Sequence, residues 1–208
     1  LPEKVFAFLR EGLTELLQDL DEAALARLSG IGVAAPFELW TWNDAEGEDA
    51  EKMHSWQKVD FRGEVAAFSK LPVFMVNDAT AACRAEHLYG RGQEFRDYAY
   101  FFIGSFIGGG IVLNHTVFEG NQGNAGALGS LRASGPMGES HQLVDVASIH
   151  VLESRLVEAE VNPDLLWSQP QDWRALARYV EPWIGQTAQE LAKAALSVCS
   201  VLDFEAIV

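Results

Sequence analysis

The sequence predicts an α/β fold arranged as two lobes, and three observations carry that expectation. Short apolar runs, Ile31 to Ala35 and Val73 to Val76, alternate with helix-period segments, as strands joined by helical crossovers do. After the Gly90-Arg91-Gly92 break, a second group of strands (Tyr98 to Ile103, Gly109 to Leu113, Val117 to Phe118) reads as consecutive hairpins. The 208 residues are 49% hydrophobic and 22% charged, ordinary for a globular chain able to bury a sizeable core. The break puts an N-terminal lobe at residues 1–95 and a C-terminal lobe at 96–208.

In chain order, Glu3 to Leu28 repeats apolar residues at helical spacing and meets Gly30, a stop signal. Ile31 to Ala35 is a buried strand. Phe37 to Lys58 is loop-like and acidic (Asp44, Glu46, Glu48, Asp49, Glu51), with Trp40, Trp42 and Trp56. The tryptophans suit either a sugar-stacking platform or core packing, and packing is the stronger reading. The acidic run reads as a solvated loop. Asp60 to Ser69 is helical, Val73 to Val76 is a strand and Thr80 to Tyr89 is a helix. Asn114-His115 makes a tight turn between strands. Leu143 to Val157, Gln171 to Tyr179 and Ile184 to Leu202 are helical, and Ala206 to Val208 starts a final strand.

Net charge is −15. Lys and Arg form no patch or stripe of the kind that nucleic-acid-binding modules carry, so these residues do not read as DNA-binding by themselves. No run approaches the roughly 20 apolar residues of a membrane span, and the amphipathic N-terminus lacks a signal peptide's layout. Cys83 and Cys199 lie in apolar helical patterns and read as buried thiols. A reducing cytoplasmic setting is expected.

Function is most legible in PVFMVNDATAACRAEHLYG and the following FIGSFIGGGIVLNHTVFEGNQGNAGALGS. The strand delivers Asn77 and Asp78 to its C-terminal end, where ligands of open α/β sheets bind. The competing reading is that Asp78 only caps the following helix; the local sequence leaves both open.

These segments resemble the ROK family (repressors, open reading frames and sugar kinases), over roughly residues 28 to 208. The resemblance implies an actin-like, ribonuclease-H-like ATPase fold. Asn77-Asp78-Ala79-Thr80 matches the kinases' Asn-Asp-Ala-Asn, whose Asp deprotonates the sugar hydroxyl. Gly104-Ser105-Phe106-Ile107-Gly108-Gly109-Gly110 matches Gly-Thr-Gly-x-Gly-Gly-Gly, which faces nucleotide phosphates. Gly120 to Ser130 (GNQGNAGALGS) matches Gly-x-x-Gly-x-Ala-Gly-Glu-x-Gly-His, and Gly30 to Phe37 matches the Gly-x-Gly-x-x-x-Pro-Gly region. Against that pattern the chain looks incomplete at both ends: the first phosphate hairpin and the adenosine-side Gly-Gly segment are not in it.

The departures fall on ligand-holding positions. Phe106 stands where a glycine lets backbone approach phosphate, obstructing that approach or turning into the interlobe core. Ala127 stands for the Glu that bonds sugar hydroxyls, and Ser130 for the His that contacts sugar and ligates structural zinc. The cysteine cluster that completes the zinc site is missing from LRASGPMGESHQLVDVASIHVLESRL. His141 and His150 alone do not supply the four ligands a structural zinc takes, so no metal or other cofactor is expected.

The expected function is therefore the effector-binding and oligomerisation part of a ROK-type regulator, catalytically silent, sensing a sugar or sugar derivative between the lobes. The resemblance implies a homodimer or higher homo-oligomer, with DNA contacted only through a separate N-terminal domain outside this chain. Candidate ligand residues are Asn77, Asp78, Asn124, Gln122, Ser130 and Gln142, since amides and hydroxyls both donate and accept. Gly104, Ser105, Gly108, Gly109 and Gly110 form the phosphate-loop remnant. The alternative is a sugar kinase using Mg-ATP, with Asp78 as general base; a third reading is an interaction module without a small ligand.

Overall fold

The N-terminal apolar periodicity is realised as two helices. The computed structural model describes residues 2–36, 54–135 and 137–208; Trp40, Trp42 and the acidic run lie outside them. Helix α1 spans Pro2–Gln18 and α2 spans Glu22–Leu25, where one helix to Leu28 was expected. The break arises at Asp21, whose side chain accepts the Ala24 N–H at 2.7 Å and so starts a new helix.

The chain forms two compact units, Leu1–Asp78 and Ala79–Val208. In the first, β1 (Ile31–Ala34) pairs in parallel with β2 (Val73–Val76), Ile31 opposite Val73 and Ala34 opposite Val76. Helix α3 (Phe61–Ala66) precedes β2. Trp56 packs with Phe6 at 6.1 Å and stacks on Phe61 at 6.4 Å, so this tryptophan serves packing.

The second unit is built on a four-stranded sheet in the order β5-β4-β3-β8. Helix α4 (Asp78–Tyr89) leads into β3 (Tyr98–Ile103), which pairs antiparallel with β4 (Ile107–Leu113). Asn114 and His115, at φ 53° and 58°, turn β4 into β5 (Thr116–Phe118), as a two-residue hairpin requires. The final strand β8 (Ala206–Ile207) lies parallel to β3. One sheet face buries Tyr98 and Val112 with Cys83 of α4, and the other buries Ala99 and Ile111 with Leu128 and Val198.

Beyond the sheet, β6 (Arg132–Ser134) and β7 (Ser140–Gln142) form a separate antiparallel ribbon that the sequence reading missed. The helix expected over Leu143 to Val157 is two, α5 (Val144–Ala147) and α6 (Ile149–Glu158), separated by an extended Ser148. Two further expected helices resolve differently. Only a single turn, Arg174–Leu176, precedes the long helix α7, Ala177–Leu202, which runs through Pro182. Pro182, the sixth residue of α7, lies beyond the first turn where proline is tolerated, and having no N–H it leaves the Arg178 carbonyl without the usual helical donor. Ile149, Leu152 and Leu156 of α6 join Leu166, Leu176, Val180 and Trp183 in a helical core. Among the described residues no helix is long and apolar enough to cross a membrane.

Candidate functional site

Strand β2 ends at Val76, so Asn77 and Asp78 stand at its C-terminal end, both part-buried. Helix α4 begins at Asp78 itself rather than after it. Asp78 is the last residue of the first unit, and Ala79 is the first of the second.

The glycine-rich segment divides into a turn and a strand. Gly104, Ser105 and Phe106 form the turn between Ile103 and Ile107, while Gly108, Gly109 and Gly110 lie inside β4. Those three glycines answer to packing on both faces. A Cβ on Gly108 would stand 2.7 Å from the Ala79 Cβ, and one on Gly110 would stand 2.6 Å from the Cys83 Cβ. On the opposite face, a Cβ on Gly109 would stand 2.6 Å from Leu128 Cδ1. Helix α4 and the second glycine-rich loop thus close on β4 from both sides. Burial pushes the Cys83 thiol up to about 12, with the Glu86 carboxylate adding to it.

The turn itself is held by the start of α6. The Ile149 and His150 amides donate to the Gly104 and Ser105 carbonyls, both at 3.0 Å. Buried Ser148 accepts the Ile107 N–H at 3.0 Å and donates to the Val144 carbonyl at 2.6 Å, while its own carbonyl accepts from the Trp183 indole. A helix N-terminus is ordinarily ready to receive an anion; here its first amides are engaged by the turn's carbonyls. Phe106 is the last residue of the turn. Its ring lies 5.2 Å from that of His150 and it is 36% exposed. His150 Nδ1 pairs with Glu153 at 3.4 Å, and Glu153 accepts from the Trp167 indole at 2.6 Å.

The second loop is closed at its base by the Ala125 N–H donating to the Glu119 carbonyl at 2.9 Å, and Glu119 pairs with Arg84 of α4. Gly126, at φ +83°, is in the region that favours glycine, and a Cβ there would stand 2.6 Å from Gly110 Cα. Gln122, Asn124, Ala127 and Ser130 are all solvent-exposed. Ser130 and Gln142 are brought near each other, because Leu131 accepts from Leu143 at 2.8 Å and Arg132 pairs with Gln142.

The ribbon occupies the segment where a cysteine cluster was sought. Glu139 organises its tip, accepting the Met137 amide at 2.9 Å and pairing with His141 at 3.4 Å. Backbone N–H groups and His141 hold the Glu139 carboxyl below the usual range, with its own amide the largest contributor. His141 lies on strand β7. Among the described residues no cluster of three or more His, Cys, Asp or Glu could hold a metal ion. His87 donates from Nε2 to the His115 carbonyl at 2.9 Å. Cys199, expected to be buried, is part-exposed because it lies beside the outward side of α7.

Residues 2–142 match the ROK family model. The chain belongs to the ROK family. Its similarity runs to both branches. It is 29% identical over 131 residues to a xylose repressor of Caldicellulosiruptor bescii, covering 58% of this chain and 31% of that protein. It is 32% identical over 77 residues to a Streptomyces coelicolor glucokinase, covering 37% of this chain and 24% of that one. The matched segments therefore span about a third or less of these curated ROK relatives. Among solved structures, a ROK hexokinase from Thermus thermophilus superposes with a TM-score of 0.62 at 25% identity, covering 97% of this chain and 68% of that chain. A ROK transcriptional regulator, a homologue of the E. coli MLC protein, gives 0.61 at 20% identity, covering 99% and 55%. The fold is that of the ROK sugar kinases and regulators, the actin-like ATPase fold.

Proposed function

We propose that this chain is the effector-binding part of a ROK-type transcriptional regulator, sensing a sugar or sugar derivative without phosphorylating it. One observation carries the reading: Phe106, at the hairpin position where the kinase pattern has glycine, presents a ring packed against His150. A phosphate group held by that turn needs close access to backbone, and a benzyl side chain at its tip stands against this.

The second loop supports the same reading. Ala127 is exposed and offers a sugar hydroxyl no side-chain partner, and Ser130 replaces an imidazole with a shorter group. A pocket built on hydrogen bonds discriminates steeply when such partners are lost. Asn77 and Asp78 at the end of β2, and Asn124, Ser130 and Gln142 in the second unit, remain as polar candidates for a neutral polyhydroxyl ligand. DNA binding and oligomerisation belong to the whole regulator. The kinase alternative rests on Asp78, kept at the end of β2, and on the likeness to glucokinases.

Thermal unfolding with D-xylose, D-glucose, N-acetylmannosamine and Mg-ATP, separately and paired, tests the reading. A ligand at about 100 times its Kd stabilises by about 2.7 kcal/mol. A sugar shift lost in Asp78→Asn, with no Mg-ATP response, is expected. An Mg-ATP shift with Asp78-dependent ADP release in the presence of sugar overturns it in favour of the kinase.

A further inference from the structure

The β6–β7 ribbon has three residues in each strand and, among the described residues, pairs with no other strand. A two-stranded ribbon of this size is marginal alone and takes its placement from whatever it packs on. Its apolar support is Ala133 and Leu143, clustered with Val146, Ala147 and Ala194. Its polar support is two side chains: Asp145 of α5, whose Oδ2 accepts the Gln142 N–H at 2.8 Å at the end of β7, and Glu190 of α7, which holds the end of β6. Glu190 is 4% exposed, and its Oε2 accepts the Ser134 N–H at 2.9 Å while Oε1 accepts from Lys193 Nζ at 2.6 Å.

A carboxylate is a costly choice for a buried helix position unless its bonds are made. The neighbouring inward positions on α7, Leu191 and Ala194, are apolar and pack against the same cluster. Apolar packing holds the ribbon down but leaves it free to slide, whereas a charge-assisted bond to one named amide fixes direction as well as distance. Ser134 ends β6; two residues before β6 begins lies Ser130, and Arg132 at its start pairs with Gln142. A shift at Ser134 is therefore carried along three residues to both candidate ligand groups.

We propose that Glu190 is a positioning residue for the effector site: from the long helix it sets where the ribbon presents Ser130 and Gln142. The effector half of this rests on the sensor reading above; the anchoring half does not. Neither Glu190 nor Ser134 touches the ligand in this scheme.

The test compares the parent chain with Glu190→Gln, which keeps an acceptor for the Ser134 amide, and Glu190→Leu, which fills the space without one. Amide hydrogen exchange is read for residues 131–142 and for β3 and β4, alongside calorimetric titration with D-xylose, D-glucose and N-acetylmannosamine. For Glu190→Leu, exchange in the ribbon should speed about tenfold with β3 and β4 unchanged, and the sugar that binds the parent should bind about tenfold more weakly. Glu190→Gln should stay within about threefold of the parent in both. Unchanged ribbon exchange in Glu190→Leu overturns the anchor, as does equal acceleration in β3 and β4, which marks general destabilisation. Faster ribbon exchange with parental sugar affinity overturns the positioning role. Failure of all three sugars to bind the parent overturns the effector half together with the sensor reading, while ribbon exchange still decides the anchor.

Discussion

Ser148 Oγ lies 3.0 Å from the Ile107 amide nitrogen, across 41 residues of sequence, and takes its hydrogen while giving its own to Val144. This one buried hydroxyl joins the hairpin turn to the start of α6. Ser148→Ala leaves a buried N–H without that partner, which should destabilise the chain by about 1–3 kcal/mol. Urea unfolding measures it; a change within experimental error of zero would mean that water replaces the hydroxyl.

Gly126 is constrained twice, by its positive φ and by contact with Gly110. Gly126→Ala should therefore destabilise by about 1–3 kcal/mol, the range for overpacking a tight contact. Gly138, also at positive φ but with open space around its Cβ position, provides the control: Gly138→Ala incurs the conformational cost alone and should lose less. Equal losses at the two sites would remove the packing argument.

Glu190 makes stability depend on acid. Burial opposes its charge, yet Lys193 and the Ser134 amide outweigh that and hold the carboxyl below its ordinary 4.5. A depressed carboxylate contributes stability that is present above the unfolded-state value and lost as pH falls through the folded one. Stability measured downward from pH 5 should thus fall less steeply in Glu190→Gln than in the parent. Identical slopes would sink the assignment.

The two cysteines should separate chemically. Cys83 is fully buried with its thiol pushed up to about 12, whereas Cys199 is part-exposed. Because thiolate is the reactive form, an aromatic disulfide reagent at pH 8 should titrate one thiol in the native chain and two in denaturant. Cys199→Ser should abolish the native reaction; a persisting fast thiol would place Cys83 in an opening segment.

Much of this was readable beforehand where local chemistry decides structure. Val73 to Val76 formed its strand, and Asn114-His115 turned as a two-residue hairpin does. One error was local, the Asp21 cap that divides the first helix; others came where a tertiary bond overrode local preference. Ser148 looked like the middle of a helix, and its bonds to Ile107 and Trp183, both far away in sequence, accompany its extended backbone. The ribbon escaped notice because three-residue strands carry no periodicity and its anchor, Glu190, is 56 residues from Ser134. At the candidate site, sequence named Asn77 and Asp78 at the end of β2, but the contact of Phe106 with His150 depends on a fold-level approach that no spacing encodes.

The three successive glycines of β4 are required from inside the protein, by Ala79 and Cys83 on one face and Leu128 on the other. That requirement is indifferent to whether a nucleotide ever visits. A descendant of an enzyme could lose its cosubstrate entirely and still be unable to replace these residues, because any side chain would prise the helix or the loop away from the sheet. The motif then outlives its original purpose as a scar of assembly. Reading chemistry in such chains should begin at Phe106, the position that was free to change.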